Sequence, residues 1–217
     1  MTTNTAYIPA LKYNWLTKFY DFLIQAFLKE KSWKSFLIQN FSNKNPGRIL
    51  DIGTGTATLV IIMKQTYPQA NIIGLDGDEK ILAIARNKIH QQGMNIDLVQ
   101  AMSYQLPYPE NHFEVITSSL MLHHLTDENK VRTFKEVFRV LKPGGEFCIA
   151  DWGKPDKIIS RLLFYWVQFL DGFETTSSNV KGHLPMFLKN SGFKAVTELK
   201  KFNTIGGSIS IYKGIKL

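Results

Sequence analysis

The stretch Ile49–Leu59, ILDIGTGTATL, constrains the fold of this chain more than any other. A short apolar run, Arg48–Ile52, ends at Gly53-Thr54-Gly55 and is followed by a helix-forming segment, Thr58–Thr66. An apolar run of that length before a glycine reads as a strand buried on both faces, the kind found in a parallel sheet covered by helices. The glycines allow a tight turn and let a ligand approach the backbone. The start of the helix offers it unpaired N–H groups. Taken alone, Gly53 and Gly55 also suit a plain strand-to-helix turn.

The segments that follow repeat the alternation. Asn71–Leu75 reads as a second strand, closed by Asp76-Gly77-Asp78, and Glu79–Gln91 carries Ile81, Leu82, Ala85 and Ile89 at helical spacing. Ile96–Gln100, Phe113–Ser118 and Glu146–Ala150 read as strands three to five, with a helix over Asn129–Leu141 stopped by Lys142-Pro143-Gly144-Gly145. Strands alternating with helices at this spacing predict a parallel sheet with crossover helices. The flanks differ. Trp15, Phe19, Phe22, Leu23, Ala26 and Phe27 share one helix face, and a second short helix is expected over Trp33–Phe41 with Ser32 as its N-cap. Towards the C-terminus, an aromatic helix is expected over Ser160–Phe173 and another over Pro185–Ser191, ended by Gly192. Lys194–Phe202 and Ser208–Lys213 read as a terminal antiparallel pair.

Charge is distributed in three blocks. Residues 1–48 carry seven Lys/Arg against two Asp/Glu, residues 49–151 nine against twelve, and residues 152–217 ten against four. Basic flanks of this kind suit nucleic acid, an acidic substrate or an anionic membrane surface. The basic residues are mostly lysines standing singly, which is also the pattern of a solvated surface. One cysteine, Cys148, excludes an intrachain disulfide and a Cys-rich zinc module. The N-terminus lacks the pattern of a signal peptide, and the longest apolar run, Leu59–Met63, is far shorter than a membrane span. A cytoplasmic setting is expected, and no metal site.

Asp76 sharpens the ligand. It closes the second predicted strand, about twenty residues after the glycine bend, where a carboxylate can accept both hydrogens of a ribose diol. An Asp-Gly turn would place the same residue there without a ligand. A dinucleotide site would have a third glycine at position 58, which is Thr here.

With Asp51 two residues ahead of Gly53, the stretch resembles the first motif of the class I S-adenosylmethionine-dependent methyltransferases, acidic-x-G-x-G-x-G. Asp51, Gly53 and Gly55 match, and Ala57 replaces the third glycine. Asn71–Arg86 is similar to the family's second-strand block. Gln105–Pro109 with Asn111–Ile116 resembles the L-P-[FY]-x-x-x-x-F-D stretch of the small-molecule branch that includes quinone and sterol methyltransferases, with Glu114 where Asp is usual. Arg139–Trp152, RVLKPGGEFCIADW, resembles the R-x-L-K-P-G-G block before the fifth strand. Met102 stands where an Asp usually meets the adenine amino group.

The resemblance implies one α/β domain over residues 1–217, a Rossmann-like seven-stranded, mainly parallel sheet with helices on both faces. Residues 1–47 would form an N-terminal helical lid, 48–151 the cofactor-binding core, and 152–217 the substrate-side helices and terminal strand pair. The implied cofactor is S-adenosyl-L-methionine, with S-adenosyl-L-homocysteine as product. Asp51, Gly53, Thr54 and Gly55 would cradle its methionine part, and Asp76 and Gly77 its ribose. Ala101, Met102 and Ser103 would hold the adenine, with Ser118 and Ser119 beside the methionine. His123 and His124 are candidates for a proton acceptor or acceptor contact; both equally suit structural roles. Tyr13, Tyr20, Asp151 and Trp166 are candidates for a pocket around a small, hydrophobic or aromatic acceptor. A nicotinamide-dependent oxidoreductase, an RNA methyltransferase and a non-catalytic cofactor-binding protein are the alternatives.

Overall fold

The computed structural model of the chain describes residues 30–155, 161, 164–165, 168, 172–204 and 207–217. Helix α1 (Glu30–Gln39) leads into β1 (Arg48–Ile52), α2 (Thr58–Thr66), β2 (Asn71–Asp76), α3 (Glu79–Gln91) and β3 (Asp97–Gln100). β4 (Phe113–Ser119), a 3-10 turn at Leu122–His124, α4 (Asp127–Val140) and β5 (Leu141–Trp152) follow. The chain then forms α5 (Phe173–Lys181), α6 (Leu184–Asn190), β6 (Lys194–Thr204) and β7 (Gly207–Ile215). The seven strands run in the order β3-β2-β1-β4-β5-β7-β6. β7 is antiparallel to both of its neighbours, and the first five strands pair in parallel. The expected sheet and its antiparallel closing strand are therefore present.

The buried strands explain the apolar runs. Ile49 of β1 packs with Trp33, Leu37, Leu59, Val60, Met63, Ala85 and Ile89, so α1, α2 and α3 cover one face. Its neighbours Leu50 and Ile52 pack with Phe134, Val137, Leu184 and Leu188, so α4 and α6 cover the other. Successive side chains point to opposite faces, and both faces are dry. The helices change sides between β1 and β4, where the strand order reverses. Sheets of this kind bind ligands in the crevice at the carboxyl ends of such a pair.

Polar side chains hold the loops at their places. Glu114, which stands where Asp is usual, reaches Gly47 N at 2.7 Å and Asn43 Nδ2 at 3.2 Å through one oxygen and Lys142 Nζ at 2.8 Å through the other. The turn entering β1 is thus tied to β4. Arg139 donates to Tyr108 O at 2.8 Å and to Leu106 O at 3.1 Å, and Glu136 accepts from Leu106 N at 2.8 Å. The Leu106–Pro109 loop is held on α4 in this way, which gives the arginine of the R-x-L-K-P-G-G block a structural task.

Several sequence expectations are corrected. Ser32 lies inside α1, which already runs from Glu30, so it is not an N-cap. Lys142–Gly145 do not separate helix from strand. They sit within β5, where the pairing with β4 jumps from Phe113–Leu141 to Val115–Glu146. Helix α5, FETTSSNVK, begins at the residue where an aromatic helix was expected to end. Its Thr/Ser-rich run has weak helix propensity, and tertiary contacts hold it instead. The helix face expected over Trp15–Phe27, with Tyr13 and Tyr20, and most of the helix expected over Ser160–Phe173, Trp166 included, lie outside the described residues.

Candidate functional site

The bend after β1 is held to β2 from both sides. Gly53 N and Thr54 N both donate to Leu75 O, at 2.7 and 2.9 Å, and Gly55 N donates to Asp76 Oδ2 at 2.9 Å. Gly53, Gly55 and Ala57 all have positive φ, at 69°, 55° and 66°. The third position of the motif therefore requires the left-handed conformation, which alanine adopts at a cost of about 1–2 kcal/mol. A Cβ on Gly53 would lie 2.3 Å from Met121 Cγ, whereas one on Gly55 would meet nothing within 4 Å. Gly53 thus serves close packing, and Gly55 borders open space.

Asp76 uses its other oxygen, Oδ1, to accept from Asp78 N at 3.1 Å. Burial raises its pKa above the ordinary carboxylate value, against the pull of those backbone donors. Asp51 is fully buried, and burial pushes its pKa up to about 6 although the Thr117 hydroxyl donates to its Oδ1 at 2.7 Å. The Thr54 hydroxyl also helps hold the Asp51 pKa down, while Ser118 Oγ is buried without a hydrogen-bond partner among the described residues. Asp51 and Thr117 are paired in the sheet, as are Ile52 and Ser118, so Asp51 and Ser118 stand at the ends of β1 and β4 on opposite faces. Unsatisfied buried polar atoms are uncommon and call for an explanation. A polar ligand at the crevice supplies one.

Ala101 N donates to Asp76 O at 3.1 Å, which sets the 101–103 segment beside the carboxylate, and Gly77 O accepts weakly from Gln100 Nε2 at 3.4 Å. Met102 is half-buried. The Ser103 hydroxyl is engaged with Thr133 Oγ1 at 2.9 Å, so only its backbone remains to face the crevice. Ser119 ends β4, half-buried. Leu120 then turns with φ 51°, and Met121 caps Gly53.

The two histidines divide. His123 is buried and its Nδ1 lies 2.8 Å from Asp151 Oδ1. His124 packs its ring on His123 at 4.0 Å, and burial, aided by the neighbouring ring, pushes its pKa down to about 3. Asp151 was expected at the pocket edge as a substrate contact. It is instead fully buried and surrounded by donors, because Leu122 N at 2.8 Å, Trp152 N at 2.7 Å and Asn179 Nδ2 at 3.1 Å join His123. Burial alone would raise its pKa, but His123, the Trp152 backbone N–H and His124 hold it below the usual value. Trp152 meets His123 edge-on at 6.2 Å and Phe164 at 5.2 Å, which gives the pair an apolar wall.

Sequence reasoning missed Thr117, Met121 and Asn179. The alternation along β4 puts Thr117 on the face of Asp51, which was readable; Met121 and Asn179 carry no sequence signal. Among the described residues no cluster of three or more His, Cys, Asp or Glu is arranged to hold a metal.

Comparison with known proteins agrees with this geometry. The family model described as Methyltransferase domain matches residues 49–145. The ubiquinone/menaquinone biosynthesis C-methyltransferase UbiE of Vibrio campbellii is 30% identical over 206 residues, covering 85% of this chain and 77% of that protein. The demethylmenaquinone methyltransferase of Thermus thermophilus is 29% identical over 195 residues, covering 87% of each. Among solved structures, YcgJ of Bacillus subtilis superposes with a TM-score of 0.70 at 18% identity, covering 86% of this chain and 98% of that one. A Haemonchus contortus phosphoethanolamine N-methyltransferase, solved with S-adenosylhomocysteine, does so at 0.68 and 14%, covering 85% and 52%. These structural likenesses concern the fold. The sequence relatives carry the activity, and the chain belongs to the S-adenosylmethionine-dependent methyltransferase family that includes the quinone-biosynthesis C-methyltransferases.

Proposed function

We propose that this enzyme transfers the methyl group of S-adenosylmethionine to a ring carbon of a small, apolar hydroquinone, with His123 as proton acceptor. The buried His123–Asp151 contact at 2.8 Å carries the reading. The cofactor supplies a methyl already activated on a sulfonium centre. Asp76 would hold its ribose diol, since a carboxylate has about four acceptor sites and Gly55 and Asp78 use two. The buried Asp51 carboxylate suits the charged amino-acid end beside Gly53, Thr54 and Gly55, with Ser118 Oγ, unpartnered among the described residues, at the neighbouring strand end. Met102 suits the adenine face, with Ala101, Ser103 and Gly77 as the surrounding backbone and Ser119 at the methionine side.

The acceptor side has to hold a nucleophile near the methyl and take a proton. Orientation alone is worth up to about 7–11 kcal/mol in such reactions. A phenolic ring carbon attacks best once its hydroxyl is deprotonated, so a positioned base contributes. With Nδ1 bound to Asp151, the basic nitrogen of neutral His123 is Nε2. His124, whose pKa is held at about 3, is neutral and too weakly basic for the task. Trp152 and Phe164 suit an aromatic acceptor. Tyr13, Tyr20 and Trp166 are further proposed acceptor contacts.

The acceptors named for the sequence relatives are quinone precursors, and such molecules partition into membranes. No helix among the described residues is long and apolar enough to cross one. The basic flanks suit contact with an anionic surface, to be read by co-sedimentation with anionic against neutral vesicles. The setting proposed is cytoplasmic. The deciding assay incubates the full chain with methyl-labelled S-adenosylmethionine and a panel of hydroquinones, catechols and amines. Label on a hydroquinone carbon with equimolar S-adenosylhomocysteine is expected. Label on catechol oxygen or amine nitrogen alone overturns the acceptor assignment.

A further inference from the structure

Next to the His123–Asp151 pair lies a residue that no motif marks. Asn179, on α5, is fully buried, and its Nδ2 donates at 3.1 Å to Asp151 Oδ1, the oxygen that His123 Nδ1 also meets. Its own Oδ1 is buried without a hydrogen-bond partner among the described residues. An asparagine kept only for packing would be better replaced by an apolar side chain, because an orphaned carbonyl is penalised in a dry interior. The amide is held there for the carboxylate.

The helix that delivers it is pinned. Lys130 of α4 is fully buried, and its Nζ donates to Thr175 O at 2.6 Å, to Ser178 Oγ at 2.7 Å and to Asp127 Oδ1 at 3.2 Å. Ser178 immediately precedes Asn179. Of the four donors to Asp151 among the described residues, Leu122 N and Trp152 N are fixed by the backbone. His123 and Asn179 are the side chains, so Asn179 is the one that can set the carboxylate against the imidazole. Among the described residues, around them lie His124, whose ring is tilted against His123 at 4.0 Å, and the Lys130–Asp127 pair on α4.

We propose that Asn179 is a positioning residue for methyl transfer: delivered by α5 and pinned by Lys130, its amide orients Asp151 and through it sets the basicity of His123. This rests on His123 acting as the proton acceptor. The sign is defined. The amide N–H draws charge from the carboxylate, so removing it strengthens the hold of Asp151 on a protonated His123. The imidazole then titrates at higher pH, and the acid limb of the rate profile moves up with it.

The test follows imidazole titrations in the full chain labelled with 13C-histidine, with His123 identified by the signal lost in His123→Gln. Asn179→Ala is expected to raise the His123 midpoint by about half a pH unit or more. In the unaltered protein, the Asn179 carboxamide signal is expected to move with the same midpoint. That second measurement decides the matter should Asn179→Ala fail to fold. A carboxamide signal indifferent to the His123 titration, or an unchanged midpoint in a folded Asn179→Ala, overturns the proposal. If the midpoint is unchanged while His123→Gln abolishes transfer, the positioning role falls and the proton-acceptor reading stands. If His123→Gln transfers methyl at the original rate, the proton-acceptor reading falls and takes the positioning role with it.

Discussion

The two ends of the crevice are built by different means. At the ends of β1 and β2, backbone does the work. Positive-φ residues make the bend, and backbone N–H groups of Gly55 and Asp78 hold the one carboxylate that matters, all within Gly53–Asp78. At the ends of β4 and β5, side chains do it. His123, Asp151 and Asn179 come together from positions 28 residues apart at each step. A ligand common to many enzymes can be met by a local, backbone-built cradle. The proton acceptor proposed for the substrate side would be assembled from distant side chains that meet in a buried cluster.

That contrast can be broken most sharply at the base. His123→Gln is expected to lower kcat by about 100-fold or more while leaving S-adenosylhomocysteine affinity unchanged by calorimetry. A matching loss of affinity would mean that the two ends are not separate. Next comes the point where they touch. Gly53→Ala drives a Cβ into Met121 at a φ of 69°, and overpacking with left-handed strain should destabilise the fold by about 3 kcal/mol. Denaturant unfolding measures it, and the further change Met121→Ala should recover only the packing part.

On the cofactor side, Asp76→Ala should weaken S-adenosylhomocysteine binding by about 2 kcal/mol, roughly 30-fold, from lost charged hydrogen bonds. kcat at saturating cofactor should change far less. Asp51 gives a pH signature. Its folded pKa of about 6 lies above the unfolded value, so its contribution to stability is full below pH 4 and lost as pH rises through 6. Asp51→Asn should therefore stabilise the ligand-free protein by about 2 kcal/mol at pH 8 and by little at pH 4. The difference from the unaltered protein at each pH is the quantity to read, because His124 acts in the opposite direction. Its depressed pKa costs stability as pH falls below about 6.5, and it cancels in that difference. The smallest effect is at Ala57. Ala57→Gly relieves the left-handed strain at φ 66° and should stabilise by about 1 kcal/mol in thermal unfolding.

Much of the sheet was legible because its strands are short, continuously apolar and closed by glycine or aspartate. Arg48–Ile52, Thr58–Thr66 and Glu79–Gln91 are found at the expected bounds. Helix α5 was not, since Phe173–Lys181 lacks an apolar stripe and depends on Lys130. The fifth strand was read too short because Lys142–Gly145 looks like a turn, which in the sheet becomes an irregular stretch of β5.

The order and spacing of residues were enough to define the alternating strands and helices and the glycine bend with Asp76 at its side, because those features rest on neighbours along the chain. Folding alone decided that Asp151 is buried, that His123 rather than His124 meets its carboxylate, and that Asn179 joins them. Those properties arise from desolvation and from contacts between segments that meet only when the sheet closes.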